Sequence, residues 1–511
     1  MKGNREVVIE AKKSNGTTPI LPPLILLITC GYIFFVPEID ILPWFEQYNE
    51  KRVLECILLI FLSFLVILSS NIRQIWLKLF AMLPLLSRIG LGLLISLWIL
   101  SSIQSTLPKF AFLEISLFTL LCIACFCFVI CREQLGESFD KIVAIVLFFV
   151  SWAYLFGFLS YYFTTVIEGM PLSQRELFLN FSNIRFFNQF QTWTLPLIVL
   201  PIFYVKNRSR ILQYLALIAA MGWWLLAFIS GSRGSLLAIL IAFITVLFFG
   251  KKVKQWLTWQ CGVIVGGLLA YSILFFILPA VLHNDVHSVL EQSIDRKMSH
   301  FSGRYILWVI AWELTSKYYW LGVGPMHYAC VSNNHIAAHP HNAIFQIAAE
   351  WGIPCALIIT ILFLWGVITW IKAGRIYLNQ KNISQEQANI YPALLASLVG
   401  AATHSMFSGI IVMPLSQVML VLIIGWMLGI HLGHRIVSNP QPSFGWPSII
   451  LIMVIMTSLT IMFWSITPSI FDIEELQVAY QTEHPGQLHP RFWQQGFICF
   501  EDSALGDTVS E

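Results

Sequence analysis

Charge is what this sequence has least of. Only 11% of its 511 residues are Asp, Glu, Lys or Arg, against 57% hydrophobic. Soluble domains carry about 25% charged residues, so a water-soluble globular fold is excluded. The net charge of +3 is small, and the basic residues sit in short clusters between apolar runs, so nucleic acid is not an expected partner. The regular alternation of a membrane β-barrel is missing as well. No small-residue cleavage site follows the first apolar segment, which runs into 36-VPEID-40. Lys2, Arg5, Lys12 and Lys13 therefore precede a retained span and not a cleaved leader.

What remains is a mean hydropathy of +0.75 and a series of long apolar runs. About 20 apolar residues cross a bilayer, which predicts an all-α polytopic membrane protein of about 12–13 transmembrane helices. The runs fall near 20–36, 53–70, 89–105, 110–131, 141–163, 189–205, 211–230, 232–250, 256–281, 353–371, 390–411, 414–431 and 448–467. The stretch 74-QIWLKLFAMLPLLSR-88 suits the membrane interface. Lys and Arg clusters lie in the N-terminal tail, at 73/78/88, at Arg132 with Lys141, and at 206-KNRSR-210, 251-KKVK-254, 372-KAGRIYLNQK-381 and 431-HLGHR-435. These share one side, so the N-terminus is expected in the cytoplasm. The chain then divides into N-terminal transmembrane helices (1–281), an extracytoplasmic loop (282–341), C-terminal transmembrane helices (342–467) and an extracytoplasmic tail (468–511).

Most of the ten cysteines lie inside apolar spans, as in 122-CIACFCFVIC-131, and read as small buried residues rather than a metal box. Cys330 and Cys499 fall outside the spans on the same side, where a disulfide between them is open. The histidines are less evenly spread. Seven of the twelve, His283, His287, His300, His327, His335, His339 and His341, lie in one loop. Pro340 pushes His339 out of the α region, so 339-HPH-341 reads as extended, with both imidazoles on one side. Asn342 is an N-cap for a helix whose face is Ile344, Ile347, Ala348 and Trp351, with Gly352 as its stop. The positive helix end beside His341 favours the neutral imidazole, the form that accepts a proton. Two alternatives stay open from these residues: a pair of surface histidines, and a zinc site with His335, which lacks an accompanying carboxylate or thiolate set.

Three arginines add charge near these histidines. Arg233 in 230-SGSRGS-235 stands at the outer mouth between two spans. Arg304 opens a segment with Tyr305, Trp308 and Trp312 at helical spacing, suited to the bilayer surface. Arg185 lies in 180-NFSNIRFFNQFQTW-193. Each alone also reads as a snorkelling or structural arginine. Together they offer guanidinium forks that match phosphate oxygens, beside lipid and beside a neutral base.

The order 230-SGSRG-234, 303-GRYILW-308, 322-GVGP-325, 341-HN-342 and 350-EWG-352 resembles the O-antigen ligase and polymerase superfamily of bacterial envelope glycosyltransferases over about residues 180–430. The resemblance implies a GT-C-like, metal-independent and cofactor-free enzyme of the bacterial inner membrane with its active site facing the periplasm. It implies a glycan on undecaprenyl diphosphate as donor and inversion by single displacement. His341 would be the general base, with Arg233 and Arg304 on the diphosphate, and Arg185, His339 and Asn342 as supporting or substrate-binding residues. Glu313 is the next choice for the base. The acceptor stays open among lipid A–core, a pilin-type protein and a second lipid-linked glycan, in that order with protein second. Protein transferases often carry a large C-terminal domain and a His-Ser…Glu-Tyr-Pro pattern; here the tail is short, and 404-HSMFSGIIVMP-414 keeps His-Ser and the later Pro but lacks Glu-Tyr-Pro. A lipid-linked sugar transporter is the alternative from another class. It would carry charges within its spans and repeated halves, and few such charges and no obvious repeat are present.

Overall fold

The apolar runs become helices because a backbone inside lipid must satisfy its own polar groups. A computed structural model describes residues 20–170, 178, 180–205, 209–282, 303–330, 337–380, 383–433, 445–483, 489–500 and 502–503. In chain order the described helices are α1 Leu21–Phe35, α2 Gln47–Leu68, α3 Ser70–Met82, α4 Leu85–Gln104, α5 Pro108–Leu135, α6 Glu137–Glu168, α7 Ile184–Thr194, α8 Leu200–Val205, α9 Arg210–Ser230, α10 Arg233–Val246, α11 Lys254–Ser272 and α12 Leu278–Leu282. After these come α13 Arg304–Lys317, α14 Ala343–Trp351, α15 Ile353–Leu378, α16 Gln385–His404, α17 Pro414–Gly433, α18 Trp446–Ile470 and α19 Ile473–Glu483. No strand occurs among the described residues. Pro108, Pro354 and Pro447 stand in first turns, where a missing N–H costs nothing.

Every expected span has a helical counterpart, but fewer are long enough to cross on their own. Among the described residues eight helices qualify by length and composition, or nine if α2 and α3 count as one broken span. The shortfall has physical causes. Helix α1 has only 15 residues. The expected span 189–205 is broken between α7 and α8, and Gln260 Nε2 donates to the freed Pro196 carbonyl at 2.9 Å. Residues Arg233–Leu282 form one 50-residue helical run, roughly 75 Å long at 1.5 Å per residue and twice what one crossing needs. Gly250 breaks that run with φ 76°, beside 251-KKVK-254, so it serves as two crossings. Helix α3 turns 99° from α2, as an interfacial segment does.

Helix α5 is apolar on all sides and almost wholly buried, which makes it the axis of the bundle. Helix α17 lies against it through Gly425 and Gly429, one turn apart. A Cβ at Gly425 would stand 2.7 Å from the Cys125 carbonyl oxygen, and one at Gly429 would stand 2.6 Å from Arg132 Cβ. Small residues at this spacing let two backbones approach where lipid supplies no hydrophobic drive.

The tail after α19 does not trail away from the bundle. Arg491, Phe492 and Trp493 are buried, and Cys499 is bonded to Cys330 with Cα atoms 5.4 Å apart. Loop and tail therefore share one side of the membrane, and such bonds persist in oxidising compartments. Reporter fusions after residues 300 and 480 are expected to read as extracytoplasmic and one at residue 253 as cytoplasmic. A cytoplasmic signal at 300 would invert the topology.

Candidate functional site

The histidine corner precedes α14, a helix only nine residues long. Its N-terminus is capped as expected, with Asn342 Oδ1 accepting from Phe345 N at 3.0 Å. Asn342 Nδ2 donates to the Met406 carbonyl at 3.2 Å, and Ala343 N donates to the Ser405 carbonyl at 2.9 Å. The Asn342 side chain is thus engaged at both ends in holding α14 to the turn after α16. At the other end, Val323 N and Gly324 N donate to the Ala349 and Glu350 carbonyls at 2.9 and 3.0 Å. The 322-GVGP-325 turn therefore satisfies carbonyls that a helix end leaves unpaired. The approach is close: a Cβ on Gly322 would fall 2.2 Å from the Glu350 carbonyl carbon, and φ there is +70°.

The backbone at the corner departs from the extended reading. His341 has φ +53°, a left-handed conformation that costs a non-glycine residue about 1–3 kcal/mol and tends to occur at functional sites. The imidazoles do share a side, with His339 and His341 ring centroids 4.2 Å apart, edge to face. His341 N donates to His339 Nδ1 at 3.2 Å, so the neutral His339 ring carries its proton on Nε2. His339 is buried, and a Cβ at Gly409 would lie 2.2 Å from its Cε1, so only glycine fits beside it. Burial, followed by the His341 and Arg491 charges, pushes His339 well below its ordinary value.

His341 is half-buried and pushed down to about 3, by desolvation first and then by the charges of Arg185 and Arg304. The neutral state expected of it is therefore retained, and the cause is burial beside cations. Arg304, itself pushed down by burial and by Arg185, opens α13. Helix α13 is held to the corner by Trp308 Nε1, which donates to the Pro340 carbonyl at 3.1 Å. Trp308 thus turns inward, whereas Tyr305 and Trp312, 60% and 63% exposed, keep the outward aromatic face. Arg185 lies in the first turn of α7, where Asn183 Oδ1 accepts its backbone N–H at 2.9 Å. Glu313 is exposed on α13.

Arg233 joins from another direction. It is exposed in the first turn of α10, behind the Ser232 cap. The next residue, Gly234, lies against the His404 ring, where an added Cβ would meet Cδ2 at 3.5 Å. His404 Nδ1 is 2.9 Å from Thr192 Oγ1, and that hydroxyl already donates to the Asn188 carbonyl at 2.8 Å. Nδ1 of His404 is then the donor and Nε2 the acceptor. The charge of Arg304 acts on His404 as well as on His341. Arg185 and Arg304 thus lie near His341, while Arg233 is placed by its neighbour Gly234, which packs on His404. His283, His287, His300 and His335 lie outside the described residues.

Two parts of the site escaped the sequence reading. His404 carried a signal in 404-HSMFSG-409 but was weighed only for the acceptor. Arg491 is the other; its signal is a lone arginine among aromatics in 490-PRFWQQGFICF-500. Its Nη2 lies 2.7 Å from Glu114 Oε1 on α5 and 2.5 Å from Glu350 Oε2 on α14.

Fold and site together define a polytopic α-helical membrane protein with a basic, histidine-bearing site built from separate helices and loops. Residues 215–360 match the family model described as O-antigen ligase. That segment holds Arg233, Arg304, His339, His341 and Asn342, and it bears out the resemblance drawn from the motifs; Arg185, His404 and Arg491 lie outside it. No curated protein matches the chain.

Glycine adopts the His341 conformation without cost, whereas alanine does not. His341→Gly is therefore expected to be more stable than His341→Ala by about 1 kcal/mol. Equal melting temperatures would remove the argument for strain at this position.

Proposed function

We propose that the chain is an O-antigen ligase-type glycosyltransferase of the bacterial inner membrane. It would move a glycan from undecaprenyl diphosphate to an acceptor hydroxyl on the periplasmic face, with lipid A–core as the favoured acceptor. The observation that carries this reading is that Arg185 and Arg304 lie near enough to His341 for their charges to lower its basicity. Two guanidiniums suit a diphosphate, and a neutral imidazole beside them suits proton abstraction. The Cys330–Cys499 bond supports an oxidising compartment for this face. His341 takes the acceptor proton as the hydroxyl oxygen attacks the anomeric carbon. The sugar–phosphate bond breaks from the opposite side, and Arg185, Arg304 and Arg233 stabilise the charge gathering on the departing diphosphate.

A base held near 3 is weak at neutral pH, and the same cations that will bind the donor help keep it so. Diphosphate between Arg185 and Arg304 offsets their charge and raises the basicity of His341, so the base strengthens once the donor is in place. The sign is fixed: with a depressed value, free His341 stays neutral down through pH 5 and protonates only near 3. The kcat/KM profile is therefore expected to show no acid limb from His341 between pH 7 and 5, while kcat falls at a higher pH than kcat/KM does. A kcat/KM limb at about 6.5, abolished in His341→Gln, would contradict the buried neutral state.

His341→Ala should lower turnover by roughly two to four powers of ten with donor affinity little changed. Arg185→Ala and Arg304→Ala should weaken donor binding as well as turnover, and lysine should rescue only in part because a point charge lacks the fork. Near-normal turnover in correctly inserted His341→Ala would overturn the assignment. Offering lipid A–core, a pilin-type protein and a second lipid-linked glycan to the purified enzyme identifies the acceptor.

A further inference from the structure

We propose that tail residues 489–500 complete the catalytic site, with Arg491 as the positioning residue that fixes α14 and, through it, the His339–His341 corner. The inference rests on the proposed function for the role of His341, but its structural half stands apart from that role.

Arg491 is 2% exposed, so its guanidinium lies in the interior. Its guanidinium ties the axial helix α5, through Glu114, to α14, through Glu350. With its amide oriented to accept, Gln346 one turn earlier on α14 also receives an Arg491 N–H. Glu350 Oε1 in turn accepts Tyr328 N at 3.2 Å, which adds the segment leading to Cys330. The backbone of the tail is held independently. Tyr48 OH donates to the Arg491 carbonyl at 2.7 Å, Arg52 Nε to the Phe492 carbonyl at 3.1 Å, and Gln494 N to Asn49 Oδ1 at 2.8 Å. Arg491 is thus fixed to α2 and reaches across to α14.

The tail also touches the corner itself. A Cβ on Gly496 would lie 3.0 Å from Ala338 Cβ, next to His339, and 1.7 Å from the His489 carbonyl oxygen. The tail therefore folds tightly on itself where it meets the histidines. His489 faces both of them closely enough to lower their basicity, as Arg491 does for His339. The Cys330–Cys499 bond closes a second connection between the same two segments.

Leverage follows from size. Nine residues at 1.5 Å per residue give α14 a length of roughly 13 Å, so a tilt of a few degrees at Glu350 moves His341 by about 1 Å. Misplacement on that scale costs on the order of 10²-fold in rate.

The test uses the full-length protein in nanodiscs, with purified undecaprenyl-diphosphate-linked oligosaccharide as donor. Arg491→Gln, Arg491→Lys and Glu350→Gln are made alone and with His341→Ala. Turnover, donor Kd, thermal midpoint and amide hydrogen exchange at 339–347 are measured. The expected result is a turnover loss on the order of 10²-fold in Arg491→Gln with donor Kd changed less than about threefold. Exchange should quicken in α14 while α5 and α17 stay protected, and lysine should restore part of the turnover. In the His341→Ala background the Arg491 change should add little, because residues acting as a unit are not additive. Losses that multiply in that background, or native exchange and native turnover in both Arg491→Gln and Glu350→Gln, would overturn the proposal. So would failure of all three single variants to insert and fold, since the cluster would then serve folding alone. If His341→Ala keeps its turnover while Arg491→Gln loosens α14 and slows the enzyme, the positioning role stands and the assignment of His341 falls.

Discussion

One guanidinium shared by two carboxylates in the interior holds this site together. Glu114 on the axial helix and Glu350 on α14 both reach Arg491, and burial raises Glu350 against the pull of that arginine. Such a cluster contributes little net stability compared with apolar residues of the same volume, yet removing one partner costs about 3–5 kcal/mol. Its value is geometric. Helix α14 is too short to stand alone, since isolated helices below about 12–15 residues are marginal in water. It is defined by what grips its two ends: Ser405 and Met406 at the start, and Gly324, Val323 and Arg491 at the finish.

The grip matters to the geometry because the corner ahead of α14 is not relaxed. His341 sits in a left-handed conformation, and His339 is pressed onto Gly409 with its Nδ1 already accepting a backbone N–H. Neither imidazole is free to follow a moving substrate. The arginines come from elements with different attachments: Arg185 from the broken helix α7, Arg304 from α13, and Arg233 from the first turn of α10. On the proposed function, a rigid base facing cations on separate supports would suit a large donor that must be admitted while the proton acceptor holds still.

Sequence reasoning reached the elements whose signal is local. Long apolar runs, the Asn342 cap and the interfacial segment at α3 all express themselves within a few residues, and each is present. Composition does not report where a helix breaks, so the interruption of 189–205 went unread; Pro196 and its partner Gln260 are distant in sequence. Trp308 was assigned to the lipid face by periodicity alone, yet it turns inward to bond the Pro340 carbonyl. The partners of Arg491 were hidden for the same reason. Nothing near 491 reveals that Glu114 and Glu350 await it, because their meeting is a property of the packed bundle.

The Cys330–Cys499 bond and the burial of Arg491 also set an order of events in biosynthesis. The chain enters the membrane from its N-terminus, so the helices that bear Arg233, Arg304 and His341 are inserted before the segment that steadies them has left the ribosome. If Arg491 positions α14 as proposed, the corner gains its final geometry only after residues 489–500 have docked and Cys499 has been oxidised. A polypeptide halted before that point would sit in the bilayer with its cations and imidazoles in place but unaligned. On the proposed function, docking of residues 489–500 would then be the step that aligns the site, whatever the rest of the bundle has already done.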